Sequence, residues 1–234
     1  METTLKEAKL EKKILVFYHG GCSDGFSAAW IAHKKFGDSA EYIAANFHEV
    51  LNVKDKDIYM LDISVSDKEE DIKKLVESNR IIFIDHHITR QNLVPLIPES
   101  HFATDRCGSM LTWEYFNPDK KPPELIVHVQ DQDLYTWKQP FSREIMTTVN
   151  LSDRSFDAWD KMAADLEDKT KKDIYVEKGK IIQDYYEKIC DLMIEEGAMF
   201  VEFGGFKAYA LNVPHIFGSD IGNKLALRTN SLGI

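Results

Sequence analysis

"ILVFYHGGCSDGFSAAWIAHKKFG", residues 14–37, decides the fold class. "ILVFY" (14–18) is an unbroken apolar run of the length of a buried strand, and "FSAAWIAHKKF" (26–36) repeats apolar residues at helical spacing until Gly37 stops it. The alternation continues downstream. "YIAANF" (42–47) and "DIYMLDIS" (57–64) read as second and third strands, with "EDIKKLVES" (70–78) as a helix after them. Ser66 and Glu69 precede that helix at capping-box spacing. "RIIFID" (80–85) is a fourth strand, and "HFAT" (101–104) a fifth, feeding the helix "GSMLTWEYF" (108–116). Strands alternating with helices predict an α/β fold: a mostly parallel, doubly wound sheet with helices on both faces.

The second half changes character. Helices are expected over 122–129, 142–150 and 155–168, and a long connecting helix over 171–197. "FVEFGGFKAYALNVP" (200–214) then alternates around Gly204-Gly205 as a β-hairpin does. The layout predicts a main domain at 1–168, a connecting helix at 169–197 and a smaller, incomplete α/β module at 198–234, with no helix or strand expected after the hairpin.

With 44% hydrophobic residues in 234, the chain can bury a sizeable core. Its formal charge of −10 argues against a long nucleic acid held on a broad basic face, because such binding neutralises many phosphates; a small phosphorylated ligand remains compatible. Three widely spaced cysteines give no disulfide framework, the charged N-terminus has no signal-peptide core, and no apolar run is long enough for a membrane span. A cytoplasmic protein is the expectation; oligomeric state is not legible.

Polar groups recur where predicted strands end. His19, Cys22 and Asp24 follow the first strand, Asp62 closes the apolar part of the third, and Asp85, His86 and His87 close the fourth. Asp131 and Asp133 end an apolar helix in "VQDQDLYTW" (129–137). In a parallel sheet the strand-end groups converge on one edge, where ligands collect. That mixture of His and Asp suits Mn²⁺, with Zn²⁺ or Fe²⁺ as alternatives, and carboxylates from several segments are what a two-metal site needs. Anion-binding candidates are Arg106, the backbone N–H groups of Gly108 and Ser109 at a helix start, Arg143 in "FSREI", and Arg90.

Taken in order, "YHGGCSDGFSAAW", "IYMLDIS", "FIDHHITR" and "DRCGSMLTWEYF" resemble the motifs of the DHH phosphoesterase superfamily, and "EFGGFKAYALNVP" resembles the start of its C-terminal substrate-binding domain. The resemblance implies a metal-dependent phosphohydrolase cleaving a phosphodiester in a short nucleotide or oligonucleotide with metal-activated water. Pyrophosphatase or exopolyphosphatase activity is the alternative within the enzyme class, and a catalytically degenerate phosphate-binding module the alternative outside it. Carried over residue by residue, it implies metal ligands at His19, Asp24, Asp62 (bridging), His86 and Asp131, with Asp133 and Cys22 as secondary candidates. Mn²⁺ is implied first, with Zn²⁺, Fe²⁺ or Mg²⁺ possible. Asp85 would orient the imidazoles and His87 would face the phosphate. Cys22 departs from the pattern, standing where an Asp is expected, and the Gly-rich stretch of the C-terminal domain is absent.

Overall fold

The structure, a computed structural model, describes residues 11–45, 51–229 and 232–233. It divides into two compact units, Met1–Val176 and Glu177–Ile234.

The first unit is built on five parallel strands: β1 (Ile14–His19), β2 (Ala40–Ala45), β3 (Asp57–Leu61), β4 (Arg80–Asp85) and β5 (Glu99–Phe102), in the spatial order β2-β1-β3-β4-β5. Alternate residues of each strand face opposite layers. Leu15, Phe17, Met60 and Phe83 share a buried cluster with Ile72 and Leu75 of helix α2 (Glu69–Ser78). Val16, Leu61, Ile82 and Ile84 pack with Ala28 and Ala32 of α1 (Ser23–Phe36) and with Leu111 of α3 (Gly108–Phe116). Both faces are therefore covered, which is why the strands read as continuous apolar runs. A second helical layer adds α4 (Glu124–Asp133), α5 (Ser142–Asn150) and α6 (Phe156–Glu167) around the fully buried Trp159. The chain leaves β1 towards β2 on one side and returns to β3 on the other. The switch point of this order thus lies between the carboxyl ends of β1 and β3, where a doubly wound sheet opens a crevice.

In the second unit, β6 (Met199–Phe203) and β7 (Phe206–Ala210) form the expected hairpin, turning through Gly204 and Gly205 at φ of +57° and +83°. Long helix α7 (Lys169–Gly197) precedes it. Contrary to the sequence reading, the module does not stop there: α8 (His215–Thr229) and a short β8 (Leu232–Gly233) parallel to β7 follow. Ile221 and Leu225 of α8 bury against Cys190 and Ile194. Among the described residues, no helix is long and apolar enough to cross a membrane.

Several boundaries move for local reasons. Helix α1 begins at Ser23, three residues early, because the Cys22 thiol caps it by accepting from the Gly25 N–H at 3.3 Å. β2 lies earlier than expected, and residues 46–47 of that predicted strand fall outside the described residues. β3 ends at Leu61 because Asp62 turns to φ +60°. The capping box does not form: Lys68 is the N-cap of α2, while the Ser66 hydroxyl accepts from the Lys68 N–H and donates to Asp71. β5 starts at Glu99, and a 3₁₀ stretch, Ile88–Leu96, precedes it.

Candidate metal centre

Five segments bring their polar ends to the β1/β3 switch point. His19 is the last residue of β1, and the loop after it folds back so tightly that a Cβ on Gly25 would lie 2.2 Å from the His19 carbonyl oxygen. Asp24 sits in the first turn of α1 with its carboxylate turned to the start of α3. It accepts the backbone N–H groups of Gly108 at 2.7 Å and Ser109 at 2.8 Å. Asp62 leaves β3 in the left-handed region, uncommon for a non-glycine residue, and donates its N–H to Ile84. His86 and His87 follow β4, and Asp133 is the last residue of α4.

Asp62 stands at the middle. Its Oδ2 lies 3.6 Å from His19 Nδ1 and 3.4 Å from Cys22 Sγ, while its Oδ1 lies 3.3 Å from His86 Nε2 and 3.6 Å from His87 Nδ1. His86 Nε2 is also 3.5 Å from Asp133 and 3.9 Å from Asp24. Three donor sets result: His19 with Cys22 and Asp62; Asp62 with His86 and His87; Asp24 with His86 and Asp133. Asp62 belongs to two of them, and so does His86.

The electrostatics are those of a site short of positive charge. Burial and the Asp62 and Asp133 carboxylates push Asp24 up to about 8. Burial also presses Asp62 upward, but the facing His19 and His86 imidazoles and the His87 charge outweigh it and hold Asp62 well below the usual carboxylate range. Burial works against a charge on His86, yet the Asp62 carboxylate raises it to about 9. Burial and the same carboxylates push the Cys22 thiol far up, so without a cation it is protonated. Asp62 Oδ1 and His86 Nε2 are buried with no hydrogen-bond partner among the described residues. Facing donor atoms with nothing to bond, among carboxylates that repel one another, fit divalent cations.

Asp85 lies outside the donor sets. Its Oδ1 accepts the backbone N–H groups of both histidines and the ring Nδ1 of His87 at 2.7 Å, and its Oδ2 accepts from buried Arg90 at 3.0 Å. It orients the His87 ring alone, where the sequence reading gave it both imidazoles. The hydrogen bond to Asp85 raises the pKa of His87.

Six sequence candidates are placed differently from expectation. Asp131 joins none of the donor sets. Its carboxylate accepts from the Thr136 hydroxyl at 2.6 Å and from the N–H groups of Lys138 and Gln139 at 2.8 and 2.9 Å, holding the loop after α4; Asp133 brings the carboxylate to His86 instead. The Gly108 and Ser109 N–H groups do meet an acceptor, but it is the Asp24 carboxyl group. Arg106 pairs with Glu114 at 2.7 Å and with Asp105 at 3.3 Å, and Arg90 is committed to Asp85. Arg143 lies over the Trp137 ring, 4.3 Å from its centroid.

One contributor carried no sequence signal. Asn150, at the end of α5, accepts from the Ser23 hydroxyl at 2.5 Å and donates to Gln132 at 3.2 Å. It thereby ties the Cys22–Asp24 turn to the end of α4 between Asp131 and Asp133.

No family model matches the chain. The DHH domain of a protein from a family of ribosomal proteins superposes with a TM-score of 0.57 over 93% of this chain and 69% of that one, at 11% identity. The chain has the fold of that DHH domain. An uncharacterized protein from Helicobacter pylori G27 shares the architecture, with a TM-score of 0.55 over 95% of this chain and 81% of that one, also at 11% identity. By sequence, the chain is 30% identical over 235 residues to an uncharacterized protein of Acanthamoeba polyphaga mimivirus, covering 90% of this chain. The chain spans 54% of that relative's length. The DHH fold accounts for the five-stranded sheet; the donor sets are read from this chain's own residues.

Proposed function

We propose that the chain is a metal-dependent phosphohydrolase that cleaves a phosphodiester in a short nucleotide or oligonucleotide. The observation that carries this reading is the pose of Asp62, whose two carboxylate oxygens face two different groups of donors. His19, Cys22 and Asp62 would hold one cation, and Asp24, His86 and Asp133, with Asp62 Oδ1 facing His86 at 3.3 Å, a second. Divalent cations held there would activate a water as nucleophile and neutralise charge on the phosphoryl group. The carboxylate-rich set favours Mn²⁺, while the Cys22 thiol would draw the first position towards Zn²⁺ or Fe²⁺.

The remaining work falls to the protein. Asp85 fixes His87 through Nδ1, which leaves Nε2 as the ring atom that can present a proton to a phosphoryl or leaving oxygen. The hydrogen bond to Asp85 raises the pKa of His87, which favours the protonated form that a general acid needs. Arg90 donates to the second oxygen of Asp85, which holds this carboxylate in the orientation that meets His87. The acidic total favours a small substrate over a long nucleic acid. All three cysteines are free thiols, which suits a reducing compartment, and the reading places the protein in the cytoplasm.

The test is Mn²⁺-dependent hydrolysis of a linear dinucleotide, a cyclic dinucleotide, a nucleoside bisphosphate, pyrophosphate and tripolyphosphate, with Asp62→Asn assayed beside the native chain. Turnover of a nucleotide that vanishes in the variant supports the reading. Turnover of pyrophosphate or tripolyphosphate alone would move the activity to phosphoanhydrides. Metal binding without any turnover would leave a phosphate-binding module.

A further inference from the structure

The loop between α4 and α5 has no part in the chemistry above, yet it is shaped at some expense. Tyr135, Trp137 and Phe141 all take left-handed backbone conformations, with φ of 54°, 50° and 60°. Bulky side chains rarely do so, and such conformations persist only where surrounding bonds impose them. Here the imposing group is the Asp131 carboxylate, which binds Thr136, Lys138 and Gln139. The indole N–H of Trp137 is also buried with no hydrogen-bond partner among the described residues, a second departure from what a connecting loop needs.

The shape has a visible product. Tyr135 is 41% exposed, only two residues beyond Asp133 of the metal centre. Two Cα–Cα steps of about 3.8 Å keep its Cα within about 7.6 Å of that of Asp133. Its ring meets Trp137 edge-on, with centroids 5.6 Å apart and planes at 74°, and the Arg143 guanidinium lies over Trp137. An exposed aromatic ring, braced by a second ring and a cation beside a phosphate-handling centre, has the makings of a stacking surface for a nucleobase.

We infer that Tyr135, braced by Trp137 and Arg143, stacks on the base of the nucleotide whose phosphate the metal centre takes. The inference rests on the phosphohydrolase reading and deepens it, since pyrophosphate and polyphosphate have no ring to place there. Ring stacking alone tolerates any base, so the surface would select nucleotides as a class and not a sequence.

The test compares equilibrium binding of adenosine 5′-monophosphate, ribose 5-phosphate and inorganic phosphate to the full chain with Mn²⁺, by calorimetry. The nucleotide binds about ten-fold more tightly than ribose 5-phosphate, the difference being the base. Tyr135→Ala erases that ratio and leaves ribose 5-phosphate binding unchanged, which also shows that the variant is folded; Tyr135→Phe keeps the ratio. Equal affinity for the nucleotide and ribose 5-phosphate in the native chain, or an unchanged ratio in Tyr135→Ala, would overturn the stacking role alone. Failure of all three phosphates to bind would overturn the phosphohydrolase reading together with it.

Discussion

The backbone N–H of Gly108 donates to the Asp24 carboxylate across 2.7 Å, so the start of α3 serves as the anchor for a carboxylate of α1. The approach is as close as a glycine allows. A Cβ at residue 108 would stand 2.7 Å from the Asp62 Cβ and 3.0 Å from Asp24 Oδ2. Gly108→Ala should therefore displace two metal-centre carboxylates at once. Thermal or urea unfolding should show a loss of ~1–3 kcal/mol, typical of overpacking, and Mn²⁺ affinity should fall as well. Native-like stability and Mn²⁺ binding in this variant would show that the two carboxylates have room to move.

Asp62 holds a left-handed backbone that Asn tolerates and Ala tolerates poorly. Charge and backbone roles can thus be separated. Metal-free Asp62→Asn should melt below the native chain, because the His19, His86 and His87 imidazoles make the Asp62 charge net stabilising in the folded state. Mn²⁺ should no longer raise its melting temperature. Asp62→Ala should lose the Mn²⁺ effect and melt lower still than Asp62→Asn, by the ~1–2 kcal/mol that a left-handed non-glycine residue without a local polar side chain costs. Thermal scans with Mn²⁺ and with chelator read both effects.

The metal-free protein should lose stability as pH rises. Burial and the Asp62 charge raise Asp24 to about 8, and although burial opposes it, the Asp62 carboxylate raises His86 to about 9. Each folded-state value lies above its unfolded value, so each stabilising contribution is present at low pH and disappears as pH climbs through the folded value. Asp62 is shifted the other way, and its contribution is constant above the ordinary carboxylate range. Melting temperatures in chelator should fall between about pH 5 and pH 9, a window set by those values. Saturating Mn²⁺ should flatten or reverse the trend, because cations bind the deprotonated ligands. A metal-free melting temperature that rises across this window would contradict the charge balance described for the cluster.

Asp131 and Asp133 should part company on mutation. Asp131→Asn leaves one or more loop N–H donors without a carboxylate oxygen and should cost ~1–3 kcal/mol of stability. Asp133→Asn removes a carboxylate from the His86 side of the centre and should weaken Mn²⁺ binding with little change in metal-free stability. Unfolding curves and Mn²⁺ titrations on the two variants give the comparison. The reverse pattern would return the ligand role to Asp131.

That pair marks the boundary of what the sequence could tell. The sheet was legible because strands buried on both faces are uninterrupted apolar runs, and the centre because polar residues recur where those runs stop. The choice between Asp131 and Asp133 was not, since both close the same helix and the outcome depends on a loop that claims one of them for its own N–H groups. The pairing of Asp24 with Gly108 and Ser109 joins residues more than eighty positions apart, and the Asn150 bridge joins α5 to two turns; neither leaves a local pattern. Helix α8 escaped because, among its described residues, only Ile221 and Leu225 are buried while apolar Ile216 and Leu227 are exposed, so the apolar repeat does not mark one face.

Whether Asp62 stands between two cations, as proposed, is read most directly by Mn²⁺ titration followed by calorimetry and electron paramagnetic resonance. Two Mn²⁺ per chain with a spin-coupled signal are expected, with loss of the coupling in Asp62→Asn. No Mn²⁺ binding by the native chain, or an Asp62→Asn variant that binds the same number of ions with the same signal, would contradict it.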